Sequence, residues 1–284
     1  MCRFIAYRGA PVLMDRLLYL PRNSLINQSF RAREREEPLN GDGFGIGWYA
    51  PEIEETPAVF SSIQPAWNNE NLRNMSPKIR SGTILAHVRA ATNGRVSEAN
   101  CHPFQYGRLL FMHNGSISGF NIIKRALRMR LSNGIYDWIR GDTDSEHFFA
   151  LILQHLDAHG SLTLEQLSTA FVGALRELTE LLDEHGIDRP FTMNGLLTDG
   201  EQIVASRYIS DESGEPNTLY HSVRGTFDCV DGKCRILSKN PENDCLLVVS
   251  EKLTNVEEDW HPVPSNHMVL VEPDLSINIH PMAL

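Results

Sequence analysis

Apolar runs of strand length, separated by turn residues, fill the first part of the chain at Cys2–Arg8, Gly43–Tyr49, Ala58–Ile63, Thr83–Ala91 and Leu109–His113. The period then changes. Over about 120–132, 144–158 and 162–185 apolar residues recur at helical spacing. Phe148, Phe149, Leu151, Ile152 and Leu156 form one stripe, and Leu175, Leu178 and Leu182 another. Short strand patterns return at Thr192–Leu197, Gln202–Ser206, Thr218–Val223, Cys245–Ser250 and His267–Glu272. Strands, then helices, then strands predict antiparallel sheets packed beneath helices rather than alternating βαβ units. There is no internal repeat, no low-complexity tract and no linker rich in Pro, Gly or Ser. The best boundary candidate, near 186–190, reads as a helix exit at Gly186, so residues 1–284 are expected to form one domain.

Composition narrows the class without naming a function. The 284 residues can bury a substantial core, and 42% hydrophobic with 22% charged residues is ordinary for a soluble protein. A net charge of -10 argues against a nucleic-acid partner, and the arginines at 31, 33, 35, 125, 128, 130 and 140 read as solvated faces. Arg3, Arg8, Asp15 and Arg16 interrupt the apolar start, which excludes a signal peptide or a membrane span there. The cysteines at 2, 101, 229, 234 and 245 are too few and too scattered for a disulfide framework. Cys229 and Cys234 flank the turn-like Asp231-Gly232 and can face each other across a hairpin, but two free thiols in a reducing cytoplasm are expected. No second Cys/His pair has zinc-ligand spacing. A cytoplasmic protein is the expectation.

Chemistry begins at Cys2. It follows Met1 and is small enough for the methionine to be removed, which leaves one residue with both a thiol and an α-amine. An α-amine of pKa about 7.7–8.0 can take the thiol proton and later pass it to a leaving amine. The thiolate then forms an acyl-enzyme. Alone, Met-Cys is equally a cysteine opening a strand.

Four further segments are each ambiguous by themselves. Asn40–Trp48 carries glycines at 41, 43, 45 and 47, a pattern for close backbone approach that lacks the lysine of a phosphate loop; a tight hairpin also explains it. Arg89, ending the run Thr83-Ile84-Leu85, suits a substrate carboxylate or an internal salt bridge. Asn114-Gly115 can supply an amide and an unobstructed N–H to an oxyanion, or form a hairpin turn. Thr143-x-x-Glu146 is a capping box that puts Asp144 in a first helical turn, where it can also receive an ammonium.

Together and in this order, Cys2, Arg89-Ala90-Ala91-Thr92, Asn100-Cys101-His102-Pro103, His113-Asn114-Gly115 and Thr143-Asp144-Ser145-Glu146 resemble the class II glutamine amidotransferases. These are Ntn hydrolases with an N-terminal cysteine nucleophile. The resemblance spans roughly residues 2–270. Within the family, Asn40–Tyr49 and Ser250–Thr254 look like stand-alone γ-glutamyl hydrolases of glutathione breakdown and ergothioneine biosynthesis. Two departures stand out: Lys252, where that subgroup commonly has proline, and Asn93, where synthetase-linked members have histidine.

The resemblance implies an α+β fold, a four-layer αββα sandwich. It makes Cys2 the nucleophile and Asn114 and Gly115 the oxyanion donors. Arg89, Asp144, Thr92 and His113 become substrate-binding residues, Arg89 for the α-carboxylate and Asp144 for the α-ammonium. His87, His102 and His113 are tempting bases that the family scheme does not need; they are expected to position loops. No cofactor or metal is implied. Three functions remain open: a glutamine amidohydrolase feeding ammonia to a separate partner subunit, a hydrolase of a bulkier γ-glutamyl conjugate, and a non-catalytic γ-glutamyl-binding regulatory subunit. The Gln28–Leu39 segment and the strands near Arg207–Tyr208 are the candidate determinants of leaving-group size.

Overall fold

A computed structural model describes residues 2–34, 38–156, 162–211, 213–230, 232–237 and 240–282. The first eight strands are β1 (Arg3–Leu13), β2 (Phe44–Ala50), β3 (Glu54–Ser62), β4 (Arg80–Val88), β5 (Phe104–Tyr106), β6 (Leu109–Ser116), β7 (Thr192–Thr198) and β8 (Ile203–Arg207). The rest are β9 (Tyr220–Ser222), β10 (Thr226–Val230), β11 (Lys233–Leu237), β12 (Cys245–Val249), β13 (Trp260–Pro262), β14 (His267–Val271) and β15 (Ile277–Pro281). One sheet has the order β13-β9-β12-β1-β4-β2-β3 and the other β15-β14-β8-β7-β6-β5, with β10 and β11 as a separate hairpin. Neighbouring strands run antiparallel throughout. The helices are α1 (Met14–Leu18), α2 (Leu25–Arg31), α3 (Glu70–Met75), α4 (Phe120–Met129), α5 (Asn133–Trp138), α6 (Asp144–His155) and α7 (Leu164–Glu184).

Four layers require three apolar interfaces, and three are present. Ile5, Tyr7, Ile84, Ala86 and Val88 face outward from the first sheet onto Leu17, Leu25 and Leu72 of the short helices. Phe4, Ala6, Leu85, Leu110, Met112, Leu196 and Val248 fill the space between the sheets. Phe111, Met193 and Leu197 face α6 and α7 through Phe148, Phe149, Phe171, Leu175 and Leu178. The fold is therefore the expected αββα sandwich. Successive strand residues point to opposite faces. The rows Phe4/Ala6, Leu85, Leu110/Met112 and Leu196 thus continue, at one end of the inter-sheet layer, into Cys2, Arg89, Asn114 and Asn194.

Several boundaries differ from the pattern. β4 stops at Val88, so Arg89 lies just beyond it, while β6 runs on to Ser116. Asn114 and Gly115 consequently pair with Asn194 and Met193 inside a ladder rather than forming a turn. The helix expected to 132 ends at Met129, and α5 follows. α6 ends at His155; positions 157 and 158 lie outside the described residues. The short helices α1, α2, α3 and α5 were not evident in the sequence because five to seven residues do not establish a helical period. The expectation of free thiols at Cys229 and Cys234 is corrected: they are directly opposed in β10–β11 and joined in a disulfide, with Cα atoms 4.1 Å apart. Direct cross-strand pairing brought them within bonding reach.

Candidate active site

Cys2 stands where β1 enters the sheet, and the first turns of its chain are tied down by charge. The buried Arg3 guanidinium donates to Glu251 Oε1 at 2.6 Å, to the Cys2 carbonyl at 2.9 Å and to the Glu34 carbonyl at 3.1 Å. Glu251 also accepts from the Arg33 and Glu34 amides. Burial pushes the Glu251 carboxyl up, but the Arg33 amide and the Arg3 guanidinium hold it below its ordinary value. The Cys2 thiol contacts the residue after Arg89: Ala90 N–H donates to Sγ at 3.4 Å, and Sγ–H reaches the Ala90 carbonyl at 3.5 Å. Burial raises the thiol pKa, against the lowering effects of the Ala90 amide and the Arg89 charge. Met1 lies outside the described residues, so the expected processing is a matter for experiment.

The glycine-rich segment positions this region. Gly43 has φ 109°, which favours glycine, and a Cβ there would sit 2.8 Å from both Cys101 Sγ and the Ser62 carbonyl. At Gly45 a Cβ would collide with the His102 carbonyl. The expected close approach is thus to the Cys101–His102 segment. The same loop reaches Arg89 through backbone bonds Arg89 N–Gly43 O (2.9 Å) and Asp42 N–Arg89 O (3.0 Å). Asp42 Oδ2 accepts from Ala91 N at 2.8 Å.

Arg89 is buried and, among the described residues, makes no salt bridge. Its fork donates to the carbonyls of Arg95 (3.0 Å) and Asn93 (2.9 Å), so it is oriented without being neutralised. Asn93 then spans to Asp144: its Nδ2 donates to Asp144 Oδ2 at 2.9 Å and to Ser116 Oγ at 3.0 Å. The Asp144 carboxylate also accepts from Ile117 N and Ser145 N, both at 2.9 Å. It too faces no cation among the described residues. Thr143 caps α6 by accepting from Glu146 N at 3.2 Å, but only half of the capping box forms. The Glu146 carboxylate instead takes the Arg140 and Gly141 amides, tying the incoming loop to the helix. Thr92 is exposed beside this cluster.

Asn114 is wholly buried, yet among the described residues neither its Oδ1 nor its Nδ2 has a hydrogen-bond partner. Such a group is costly unless something else completes it. Gly115 admits no side chain, because a Cβ would strike the Thr192 carbonyl and His113 Nε2. His113 is buried with both nitrogens engaged: Nε2–H donates to the Thr192 carbonyl (3.0 Å), which leaves Nδ1 to accept from Ser145 Oγ (2.8 Å). Burial lowers its pKa, against the raising effect of Asp144. His87 and His102 pack against each other with ring centroids 4.1 Å apart and planes tilted by 55°. Burial drives His87 down to about 3 and His102 well below the usual histidine value, so both are neutral near pH 7. None of the three has the geometry of a base for Cys2.

Sequence patterns missed Asn93 as a bridge, the Arg3–Glu251 pair, and Asn194 and Asn217 beside Asn114. Two signals were present, Asn93's departure from the family pattern and the place of Glu251 within the Ser250–Thr254 stretch; Arg3, Asn194 and Asn217 carry no local motif. Of the proposed size determinants, positions 35–37 lie outside the described residues, whereas Arg207 does border the site, holding the carbonyls of Pro216 and Asn217. Among the described residues no group of three or more His, Cys, Asp or Glu side chains is placed to hold a metal, and no helix is long and apolar enough to cross a membrane.

A sequence model described as class II glutamine amidotransferases matches residues 20–277. The probable glutamine amidotransferase DUG3 of Saccharomyces cerevisiae is 38% identical over 99% of this chain and 84% of its own. A γ-glutamyl-hercynylcysteine sulfoxide hydrolase of Mycobacterium tuberculosis is 35% identical over 41% of this chain and 50% of its own length. Among solved structures, a class II domain protein of Silicibacter pomeroyi superposes over both whole chains with TM-score 0.68 at 24% identity. The glutamine phosphoribosylpyrophosphate amidotransferase of Bacillus subtilis superposes with TM-score 0.62 at 15% identity, over 99% of this chain and 49% of its own.

Proposed function

Because this chain belongs to the class II glutamine amidotransferase family, we propose that it hydrolyses a γ-glutamyl amide, L-glutamine first among candidates, through a thioester on Cys2. With Met1 removed, the α-amine of Cys2 takes the thiol proton and Sγ attacks the γ-carbonyl carbon. A protein thiol raised by burial favours transfer of that proton at the moment of attack over a standing thiolate. Asn114 Nδ2 and the Gly115 N–H receive the oxyanion, while Arg89 holds the α-carboxylate and Asp144 the α-ammonium. Thr92 borders the bound amino acid, and His113 supports Gly115 from below. The C–N bond breaks as the Cys2 ammonium protonates the leaving nitrogen. Water, deprotonated by the same amine, then hydrolyses the thioester to glutamate and restores the thiol.

The observation that carries this reading is the fully buried Asn114 amide with both ends unpartnered, set in the same inter-sheet row end as Cys2. A simple binder of γ-glutamyl ligands needs neither that amide nor the thiol. Arg89 and Asp144, each buried, oriented and lacking an opposite charge, support recognition of a free amino-acid end. A bulkier γ-glutamyl conjugate is the second reading, favoured by the likeness to the mycobacterial hydrolase. Glutamate release from L-glutamine, glutathione and γ-glutamyl amides by Met1-free protein separates them. Preference for glutamine, lost in Cys2→Ala, would mark an ammonia donor to a partner subunit; preference for a bulky amide would mark a conjugate hydrolase. No release from any of them would contradict catalysis.

A further inference from the structure

Resting on the proposed amide hydrolysis, we infer that Asn194 belongs to a leaving-group subsite, where its Oδ1 accepts the N–H of the scissile amide. Asn194 stands directly opposite Asn114 in the β6–β7 ladder, so the two side chains share the inter-sheet face at the end where Cys2 lies. It is fully buried. Its Nδ2 donates to the carbonyls of Asn217 (2.9 Å) and Thr218 (3.3 Å), which fixes which end of the amide is nitrogen. The oxygen therefore points elsewhere, and among the described residues it has no partner. A buried acceptor held in place by its own donor contacts is poised for an external donor.

Strand order says what that donor is. In the first sheet β1, which Cys2 precedes, lies between β4 and β12. Arg89 follows β4, and the Arg89–Asn93–Asp144 chain occupies that flank. The opposite flank follows β12, where Ser250 O accepts from Thr218 Oγ1 at 2.9 Å and Thr218 O accepts from Asn194. Asn217 completes this side, donating from Nδ2 to the Asn114 carbonyl at 3.4 Å while Arg207 Nε donates to its own carbonyl at 3.0 Å. A substrate whose α-groups sit on Arg89 and Asp144 and whose γ-carbon meets Cys2 must place its departing nitrogen on the Asn194 side. Accepting one N–H there turns the nitrogen lone pair toward the Cys2 ammonium, which protonates it as the C–N bond breaks. The subsite thus selects amides that keep an N–H, ammonia or primary-amine derivatives of the γ-carboxyl.

The test compares an amide with an ester, which has no N–H at the scissile position. Turnover of L-glutamine and of the γ-methyl ester of L-glutamate is measured for the parent, Asn194→Ala and Asn194→Ser. In Asn194→Ala, kcat/KM for the amide is expected to fall about tenfold or more while that for the ester stays within about twofold. The Ser hydroxyl can still accept, so Asn194→Ser should recover part of the amide loss and carries the test if the Ala protein does not fold. Equal loss on both substrates would make Asn194 a merely structural support of the 217–218 loop, and an unchanged amide-to-ester ratio would likewise overturn the inference. If the parent prefers a bulkier γ-glutamyl amide, that amide replaces glutamine in the comparison; a parent protein that cleaves no γ-glutamyl amide or ester would overturn the hydrolase reading and this subsite with it.

Discussion

On the proposed mechanism, two asparagines divide the work at the residue scale: Asn114 would meet the oxyanion, and Asn93, which bridges Arg89 and Asp144, would organise recognition. Asn114→Ala removes one oxyanion donor, typically worth about 2.7–4 kcal/mol, so kcat should drop by about 10²–10³ with KM little changed. Steady-state kinetics on glutamine checks this, and turnover equal to the parent's would contradict the assignment. Asn93→Ala keeps the backbone carbonyl that orients Arg89 but removes the side-chain amide bonds to the Asp144 carboxylate and the Ser116 hydroxyl. A hydrogen bond to a charged group is worth about 1.5–3 kcal/mol, so loosening Asp144 should raise KM roughly tenfold with a smaller effect on kcat. A kcat loss with unchanged KM would place Asn93 in the chemical step instead.

At the scale of elements, the proposed nucleophile is held by three segments far apart in sequence that meet at Glu251. The pair Arg3–Glu251 is fully buried and joins the start of β1 to the residue pair after β12 and to the 33–34 turn. Breaking a buried pair by removing one partner leaves a stranded charge, so Glu251→Ala should cost about 3–5 kcal/mol in a urea titration. A change within about 0.5 kcal/mol would mean the pair behaves as a surface bridge. Such long-range ties explain the limits of the sequence. The long helices were legible because Phe148–Leu156 and Leu175–Leu182 repeat the helical period, and the strands because their apolar runs are bounded by turns. Asn114-Gly115 is locally compatible with a turn as well as with oxyanion donors, since a dipeptide cannot reveal that β7, some eighty positions away, will pair with it. The Asn194 oxygen has no local pattern, and the Ser250–Thr254 stretch does not say that Glu251 will pair with Arg3. That acceptor and that pair exist only once the sheets stack.

Across the whole molecule, polar groups buried between layers set its response to pH. His87, held down to about 3, and His147, held down to about 4, are lowered first by burial, as are His102 and His113. In the unfolded chain each titrates near 6.5, so between there and the folded values the unfolded state binds more protons. Their contribution is complete above about pH 6.5 and is lost as pH falls toward the folded values. At pH 5 His87 and His147 should each cost about 2 kcal/mol, His102 and His113 act in the same direction, and urea midpoints should drop steeply from pH 7 to pH 5. A flat profile would mean these rings are protonated at little cost in the folded state. The most direct measurement concerns Cys2 itself. Met1-free protein is mixed with its best γ-glutamyl amide, quenched in acid and weighed intact, then as its N-terminal peptide. The predicted result is a transient gain of one glutamyl residue on the peptide beginning at Cys2, absent in Cys2→Ala and in protein that retains Met1. A glutamyl adduct on another residue, or undiminished glutamate release by Cys2→Ala, would contradict it.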